Sequence, residues 1–591
     1  MGCQDVTDAT HIEPVHGLPE WLERLAGRPM MAGLALLALC LAVYLPGVLR
    51  LPAVDRTEVV YAETTRDMVA RQAWLDPRFG DVVHQFRPIG TYWAQGVVVV
   101  AAGPELSRSI PVYRVPGMIA VTLAVLALYW LAAPLVGGGT ALLAAGLFAV
   151  TPLTVLVSQL AITEGLSLLP SVVAMLALLR IYVARDENDG RVLALLFWAA
   201  VGFGIVLNAL LVPILVVATL VALFVMDRDI AWLKRLRPLI GVPIALAIAS
   251  PWLFVRAHQD GVPFSGMDWT DFIEALGGSQ DMKLRAMPGT FVFAMLLGFL
   301  PGTALLAPAM LKLWNAREQR IAKFLLAWVI GYLAYLELLS SKPGTYTVQV
   351  MFPALALGVA MLVATYADRQ SLPRWHAIPW PPLAALFVLL LFAGVYGFVG
   401  AWPGVLAALM IIATAGLFFA SAQAGRAGHL NDWALSGIAA LGFFAVTLLG
   451  IVFPSLDRLW PAEQIRRTVS AACPAYNTTA DQMGLLGLRE PSGHFVLGAS
   501  RSLQTPEAIA TAQPKLRIVE ARWMERYAKA MAAAGEQPGT QLTCLSTYNV
   551  MRGCPLNFFV LGRDVAGLCA PLNSDACAQS VSSSDLSKGC D

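Results

Sequence analysis

Charged side chains are scarce in this 591-residue chain: 14% of its residues are Asp, Glu, Lys or Arg, against 57% hydrophobic. Soluble globular proteins carry about 25% charged residues, and a water-facing surface of this size needs more polar cover than this chain owns. That deficit excludes a soluble globule and makes lipid the solvent for much of the chain. A net charge of +2 gives no global field for nucleic acid, so no nucleic-acid partner is expected. Neither GxxxxGK[ST] nor GxGxxG occurs in a strand-to-helix setting, which removes the phosphate-loop and dinucleotide folds. No CxxC pair or histidine partner supports a zinc site. Residues 1–29 carry Asp5, Asp8, Glu13, Glu20 and Glu23, so they are expected to be a solvated cytoplasmic tail and not a cleavable signal peptide. Met1-Gly2-Cys3 lacks the Ser or Thr that N-myristoylation wants at position 6, which is Val6.

What is present is a succession of apolar runs long enough to cross roughly 30 Å of hydrocarbon. They cover 31–48, 112–135, 140–157, 166–183, 192–207, 209–226, 239–255, 290–311, 324–339, 350–364, 383–399, 405–420 and 435–453. The expected fold class is a polytopic α-helical membrane protein with about 13 transmembrane helices over residues 30–453. Cations set its orientation, because Lys and Arg resist translocation. Arg180, Arg185 and Arg191 fall in one loop, Arg228, Lys234, Arg235 and Arg237 in a second, and Lys312, Arg317, Arg320 and Lys323 in a third. With Arg369, Arg374 and Arg426 they share one side if the N-terminus is cytoplasmic. An odd number of spans then puts residues 454–591 outside, as a periplasmic α/β domain of a bacterial inner-membrane protein. Six of the eight cysteines (Cys473, Cys544, Cys554, Cys569, Cys577 and Cys590) lie there, where an oxidising compartment permits disulfides in any of fifteen pairings. Strand-like runs at 494–498, 516–519 and 556–561 alternate with a helical stretch at 521–534.

The segment 51–111 is too long for a mere connection. Asp55, Glu58, Glu63 and Asp67 alternate with Val59, Val60, Met68 and Val69, the pattern of an amphipathic helix lying on the membrane surface. Arg87-Pro88 precedes Tyr92-Trp93, an aromatic pair suited to the headgroup zone. Carboxylates beside cations at an interface can accept a proton while the cations hold a phosphate.

In order and spacing, Glu58, Tyr61-Ala62-Glu63, Arg66-Asp67-Met68, Trp74, Pro77-Arg78, Arg87-Pro88 and Tyr92-Trp93 resemble the first external loop of bacterial GT-C membrane glycosyltransferases. The relatives in question are the aminoarabinose transferases of lipid A and the protein mannosyltransferases. The resemblance continues at Thr163-Glu164, at Ser341-Lys342 with Tyr346, and at Arg489-Glu490-Pro491-Ser492. It departs in four places. Aligned without gaps through Tyr61, the family's first-loop Asp falls on Thr57, with Asp55 two residues earlier; a family Lys is Arg87; a Lys-Gly-Pro is Asn208-Ala209-Leu210; and Lys-Leu-Pro-His-Tyr is Lys342-Pro343-Gly344-Thr345-Tyr346.

The resemblance implies inverting transfer of a sugar from a polyprenyl-phosphate donor to an envelope lipid, glycan or protein. On that reading Asp55, Glu58 and Glu164 are the candidate catalytic carboxylates, with Asp55 first as the base. Arg87, Lys342 and Tyr346 would hold the donor phosphate, and Glu63, Tyr92, Glu337 and Glu490 are further site candidates. No cofactor is required; a divalent metal on Asp55, Glu58 and Glu164 is compatible with their chemistry but demanded by no spacing. The bland alternatives are helix capping for Asp55, Glu58 and Glu164, lipid anchoring for Arg87 and Lys342, and a packing turn for Glu490. Glu337, inside an apolar run, either serves function or bonds a neighbouring helix. His84, His258 and His494 read as solvated. Two other classes stay open: a catalytically impaired homologue that binds polyprenyl phosphate or a partner, and a lipid or glycan transporter.

Overall fold

The computed structural model describes residues 18–55, 57–79, 82–83, 88–184, 190–259, 287–339, 344–366, 380–399, 404–427, 429–474, 483–488, 490–498, 503–549, 554–563 and 569. Every apolar run of the sequence becomes a helix or a bent helix pair, as lipid requires, since helices satisfy their backbone groups internally. Among the described residues, 8 helices are long and apolar enough to cross a membrane, or up to 10 if each bent pair is one span. Leu211–Asp227 and Pro238–Trp252 are apolar but shorter.

Prolines explain the breaks. Gly138–Val150 and Pro152–Ser158 meet at 65°, because Pro152 has no N–H to continue the ladder and forces Thr151 out of the helical region (ψ 136°). A second bend of 111° separates Thr290–Gly298 from Gly302–Asn315, beside Pro301. Residues 348–364 are all buried and form the centre of the bundle, whereas Val405–Ala427 lies mostly open at its edge. Bare Val192, Leu239 and Val405 suit a surface whose solvent is lipid.

Glu337 sits in a wide π-helical turn, Tyr335–Leu339. Its carboxylate accepts from the backbone N–H groups of Gly289, Phe291 and Val292 at 2.8, 3.0 and 3.1 Å. Of the two readings of this acid, the structure displays the bond to a neighbouring helix. Glu337 satisfies the opening turn of Thr290–Gly298, and it does so as an acceptor, not as a proton donor.

The C-terminal part is a three-layer α/β/α unit. Strands β1 (Arg78–Phe79) and β2 (Val82–Val83) pair in the first inter-span loop. The terminal sheet comprises β3 (Met483–Leu486), β4 (Leu516–Glu520), β5 (Thr540–Asn549) and β6 (Cys554–Gly562) in the order β3-β4-β6-β5. The β3–β4 pair is parallel and the other two are antiparallel. Successive side chains face opposite layers: Leu485, Ile518 and Val560 pack on Ile465 and Val469 of helix Pro461–Ala472. Leu486, Val519 and Leu561 pack on Ile509, Tyr527 and Met531. Residues 494–498, which read as a strand, form a helix instead, Ser492–Leu497. Pro491 starts that turn, and Gly498 ends it with φ 67°, a left-handed closure that suits glycine. His494, read as solvated, is buried and its ring meets the Gln504 amide at 2.6 Å.

A disulfide joins Cys473 to Cys569, and Cys544 and Cys554 are disulfide-bonded as well. The Cys473–Cys569 link closes a separation of 96 residues. Its removal in a Cys473→Ser/Cys569→Ser variant is expected to cost about 2–5 kcal/mol of domain stability. Thermal unfolding of the intact chain in detergent checks this; an unchanged midpoint would mean that the layers alone hold the domain.

Candidate active site

The helix expected on the membrane surface, Thr57–Ala70, is instead built into the protein. Glu58, Val59, Tyr61, Ala62, Glu63, Thr64, Thr65 and Met68 are all buried. Of the acids that looked like a solvated face, Glu58 and Glu63 point inward, while Asp67 pairs with Arg71 at the surface.

Glu58 is 1% exposed and Arg114, on helix Ile110–Val136, is 0% exposed. Arg114 Nε and Nη2 donate to the two Glu58 oxygens, each at 2.7 Å. The remaining guanidinium hydrogens go to the carbonyls of Leu51 (2.5 Å), Pro52 (2.9 Å) and Val48 (3.4 Å). Glu58 also accepts from the Val54 N–H (2.9 Å) and the Ala161 N–H (2.8 Å). Five donors and four lone-pair positions are thereby filled. The pair locks the end of the first span, the loop helix, the second span and the segment before Thr163 into one block. It leaves no Glu58 lone pair for a substrate proton.

Around this block runs a buried polar chain. Thr163 donates to the Tyr61 hydroxyl at 2.8 Å and lies 3.0 Å from the Thr91 hydroxyl. Thr65 donates to Gln95 (2.8 Å), whose amide reaches the Ala161 carbonyl (3.2 Å). The Tyr92 ring packs on Tyr61 with centroids 5.5 Å apart; it is fully buried rather than set among headgroups. The neighbouring Trp93 is part-buried, and its indole donates to the Trp74 carbonyl at 2.7 Å.

Asp55 lies just before the loop helix and reaches the C-terminal domain. Its two oxygens accept from the Ser492 N–H (2.8 Å) and the Ser492 hydroxyl (2.7 Å). Glu490 is buried and accepts from the Asn549 amide at 2.6 Å, which pins the Glu490-Pro491-Ser492 turn to the end of β5. Glu63 pairs with Arg66 at 2.6 Å. Among the described residues its second oxygen is buried without a partner. Arg108 stands nearby, its pKa lowered by burial and then by the Arg66 guanidinium.

Glu164 opens the helix Thr163–Val183. Its backbone carbonyl accepts from Gln349 at 3.1 Å, and its carboxylate lies within electrostatic range of the Tyr346 phenol. Glu164 and Tyr346 are therefore brought together, while Glu337 is spent on its helix. Arg87, Lys342 and Arg489 lie outside the described residues. Asp55, Glu58 and Glu164 do not form a metal-ligand set: Glu58 is saturated and Asp55 is turned to Ser492. Among the described residues no group of three His, Cys, Asp or Glu side chains could hold an ion.

Sequence reasoning missed Arg114, Arg108 and the Asp55–Ser492 contact. A signal for Arg114 existed, since a guanidinium inside an apolar helix needs a partner as much as Glu337 does. Nothing local signals a contact between residues 437 positions apart.

A multi-pass helical bundle whose long first loop folds onto the span ends beneath a terminal α/β domain is the architecture of the GT-C membrane glycosyltransferases. The solved structure of ArnT from Cupriavidus metallidurans in the apo state superposes with a TM-score of 0.65 over 91% of this chain and 99% of that chain, at 17% identity. The same protein bound to undecaprenyl phosphate gives 0.63 over the same shares, at 15% identity. The dolichyl-phosphate-mannose-protein mannosyltransferase family model matches residues 87–254. The undecaprenyl phosphate-alpha-4-amino-4-deoxy-L-arabinose arabinosyl transferase of Erwinia tasmaniensis is 27% identical over 427 residues, 70% of this chain and 74% of that one. A Pseudomonas fluorescens transferase of the same description is 28% identical over 333 residues, 54% of this chain and 58% of that one. The chain shares the GT-C fold of ArnT and is similar in sequence to transferases of this kind over most of its length.

Proposed function

We propose that the chain moves a sugar from an undecaprenyl-type polyprenyl-phosphate donor to a lipid, glycan or protein of the bacterial envelope, on the periplasmic face of the inner membrane. The observation that carries this reading is the motif-bearing first loop, packed on the span ends of a full-length GT-C fold. The helix Thr163–Val183, at 21 residues, is about 30 Å long, the thickness of the hydrocarbon. Its first end joins the polar chain around Tyr61. At its far end the Tyr182 hydroxyl donates to Asp227, which pairs with Lys323 at 2.6 Å, and the Arg320 guanidinium donates to the Tyr182 carbonyl. The cationic end is the cytoplasmic one by the positive-inside rule, which puts the loop, Asp55 and the disulfide-bonded domain outside.

In the reaction, the acceptor oxygen attacks the anomeric carbon while a carboxylate takes its proton. The bond between that carbon and the phosphate oxygen breaks with inversion, and polyprenyl phosphate departs with the electron pair. We assign the base to Asp55, leaving Glu58 the task of holding the loop. Asp55 sits at the start of the motif-bearing loop, two residues before Thr57, and its two oxygens accept from Ser492. We assign the leaving phosphate to Tyr346, within electrostatic range of Glu164, and to the motif cations Arg87 and Lys342. The lipid tail of the donor explains a site at the membrane boundary.

Gene deletion in the host, followed by mass spectrometry of envelope lipids, polysaccharides and proteins, tests the reading. A sugar-sized mass increment is expected to vanish and to return with the wild-type gene; an unchanged envelope would sink it. Thr57 in place of the family acid favours one second reading, a homologue that binds polyprenyl phosphate without transfer. That reading has every increment survive deletion while the purified chain still retains the lipid.

A further inference from the structure

We infer that Ser492 is a positioning residue for Asp55, and that the C-terminal domain is thereby an integral part of the transfer site. The inference rests on the transferase reading above and adds to it a contribution from the far end of the chain.

Asp55 lies on the irregular stretch between the first span and the loop helix, where no regular backbone bond fixes its direction. Glu58 ties down the preceding backbone through the Val54 N–H, and the Asp55 side chain is constrained from the terminal domain. Ser492 supplies the constraint twice over, with N–H on one oxygen and hydroxyl on the other. Two donors on separate oxygens fix the plane of a carboxylate, not just its position. Ser492 is itself held, since Glu490 two residues earlier is bonded to Asn549 at the end of β5. A rigid path thus runs from sheet to turn to carboxylate.

The same short helix is gripped at its other end. Arg108 Nη1 donates to the His494 carbonyl at 3.2 Å and reaches the Phe495 carbonyl at 3.5 Å. The Phe495 ring is 0% exposed and inserts among Val59, Ala62, Val99, Ile110, Val112, Tyr113 and Ala161 of the membrane module. It meets Tyr113 edge-on, 5.5 Å between centroids at 76°. An acid of the first loop, a base preceding the second span and an apolar plug therefore dock one turn of the terminal domain in a single register. With Thr57 where the family carries its acid, the acid two residues earlier has partners on the terminal domain.

Two measurements separate this inference from the reading beneath it. In an Asp55→Cys/Ser492→Cys variant of the full chain, oxidation is expected to yield a linked peptide pair by mass spectrometry. Separately, the deletion strain is complemented with Ser492→Ala and Ser492→Thr, and the sugar-sized increment is read per amount of folded protein. Alanine is expected to lower it roughly tenfold, the scale of a lost hydrogen bond to a charged group, and threonine, which keeps the hydroxyl, to restore most of it. No linked peptide would overturn the docking. A link with an alanine variant as active as wild type would overturn the positioning role. A link in a strain whose envelope never changes on deletion would overturn the transferase reading, and the positioning role with it, while the docked domain would stand.

Discussion

Replacing Arg114 with leucine is expected to destabilise the protein by about 3–5 kcal/mol, the cost of leaving one member of a buried ion pair uncompensated. The figure is large because Arg114 has no exposure and Glu58 almost none, so water cannot take over. Three backbone carbonyls at the end of the first span lose their donors together with the carboxylate. A Glu58→Gln variant strands the guanidinium instead and should also be destabilised, though the amide keeps part of the bonding. The check is monodisperse yield and unfolding midpoint in detergent. A double replacement, Glu58→Leu/Arg114→Leu, should fall by less than the sum of the two singles, because it leaves no charge stranded. An Arg114→Leu protein as stable as wild type would mean that the loop is held by its apolar contacts alone.

Asp55→Asn should lower transfer by about 10²–10⁴-fold, the span of a lost general base, with little change in yield. Asparagine keeps an oxygen to accept from Ser492, so the docked geometry is retained and the loss isolates proton abstraction. The measurement is the envelope increment in the complemented deletion strain, or sugar transfer in membranes prepared from it. Full activity in Asp55→Asn would move the base elsewhere, with Glu164 beside Tyr346 as the next candidate. The contrast between the two predictions separates the paired carboxylates: Glu58 acts on folding and Asp55 on rate.

Much of the fold could be read from the chain because lipid imposes a simple rule: apolar runs must be helices. The runs 112–135 and 350–364 needed no partner to be recognised, whereas 140–157 read as one span and is bent at Pro152. Two strands of the terminal sheet were legible as apolar runs, at 516–519 and 556–561. Residues 494–498 misled because a buried helix of one and a half turns shares its composition with a buried strand, and only Pro491 and Gly498 tell them apart. For the site, the sequence offered candidate residues but no arrangement. The sequence displayed the acids of the first loop, but their inward orientation depends on Arg114 and Ala161, which belong to later segments. Arg66 and Glu63 stand three apart on one helix face, a spacing readable in advance. The partner of Asp55 was named in the Glu490-Pro491-Ser492 motif without any indication that the two meet.

That meeting has a consequence for how the protein comes into being. Asp55 emerges early in synthesis, and its partner follows 437 residues later. The spans between them and the terminal segment must be made before Ser492 can reach it. A stalled, truncated or misthreaded chain keeps its first loop and still lacks an oriented carboxylate. A contact that needs both ends of the chain can form only once its last part is made.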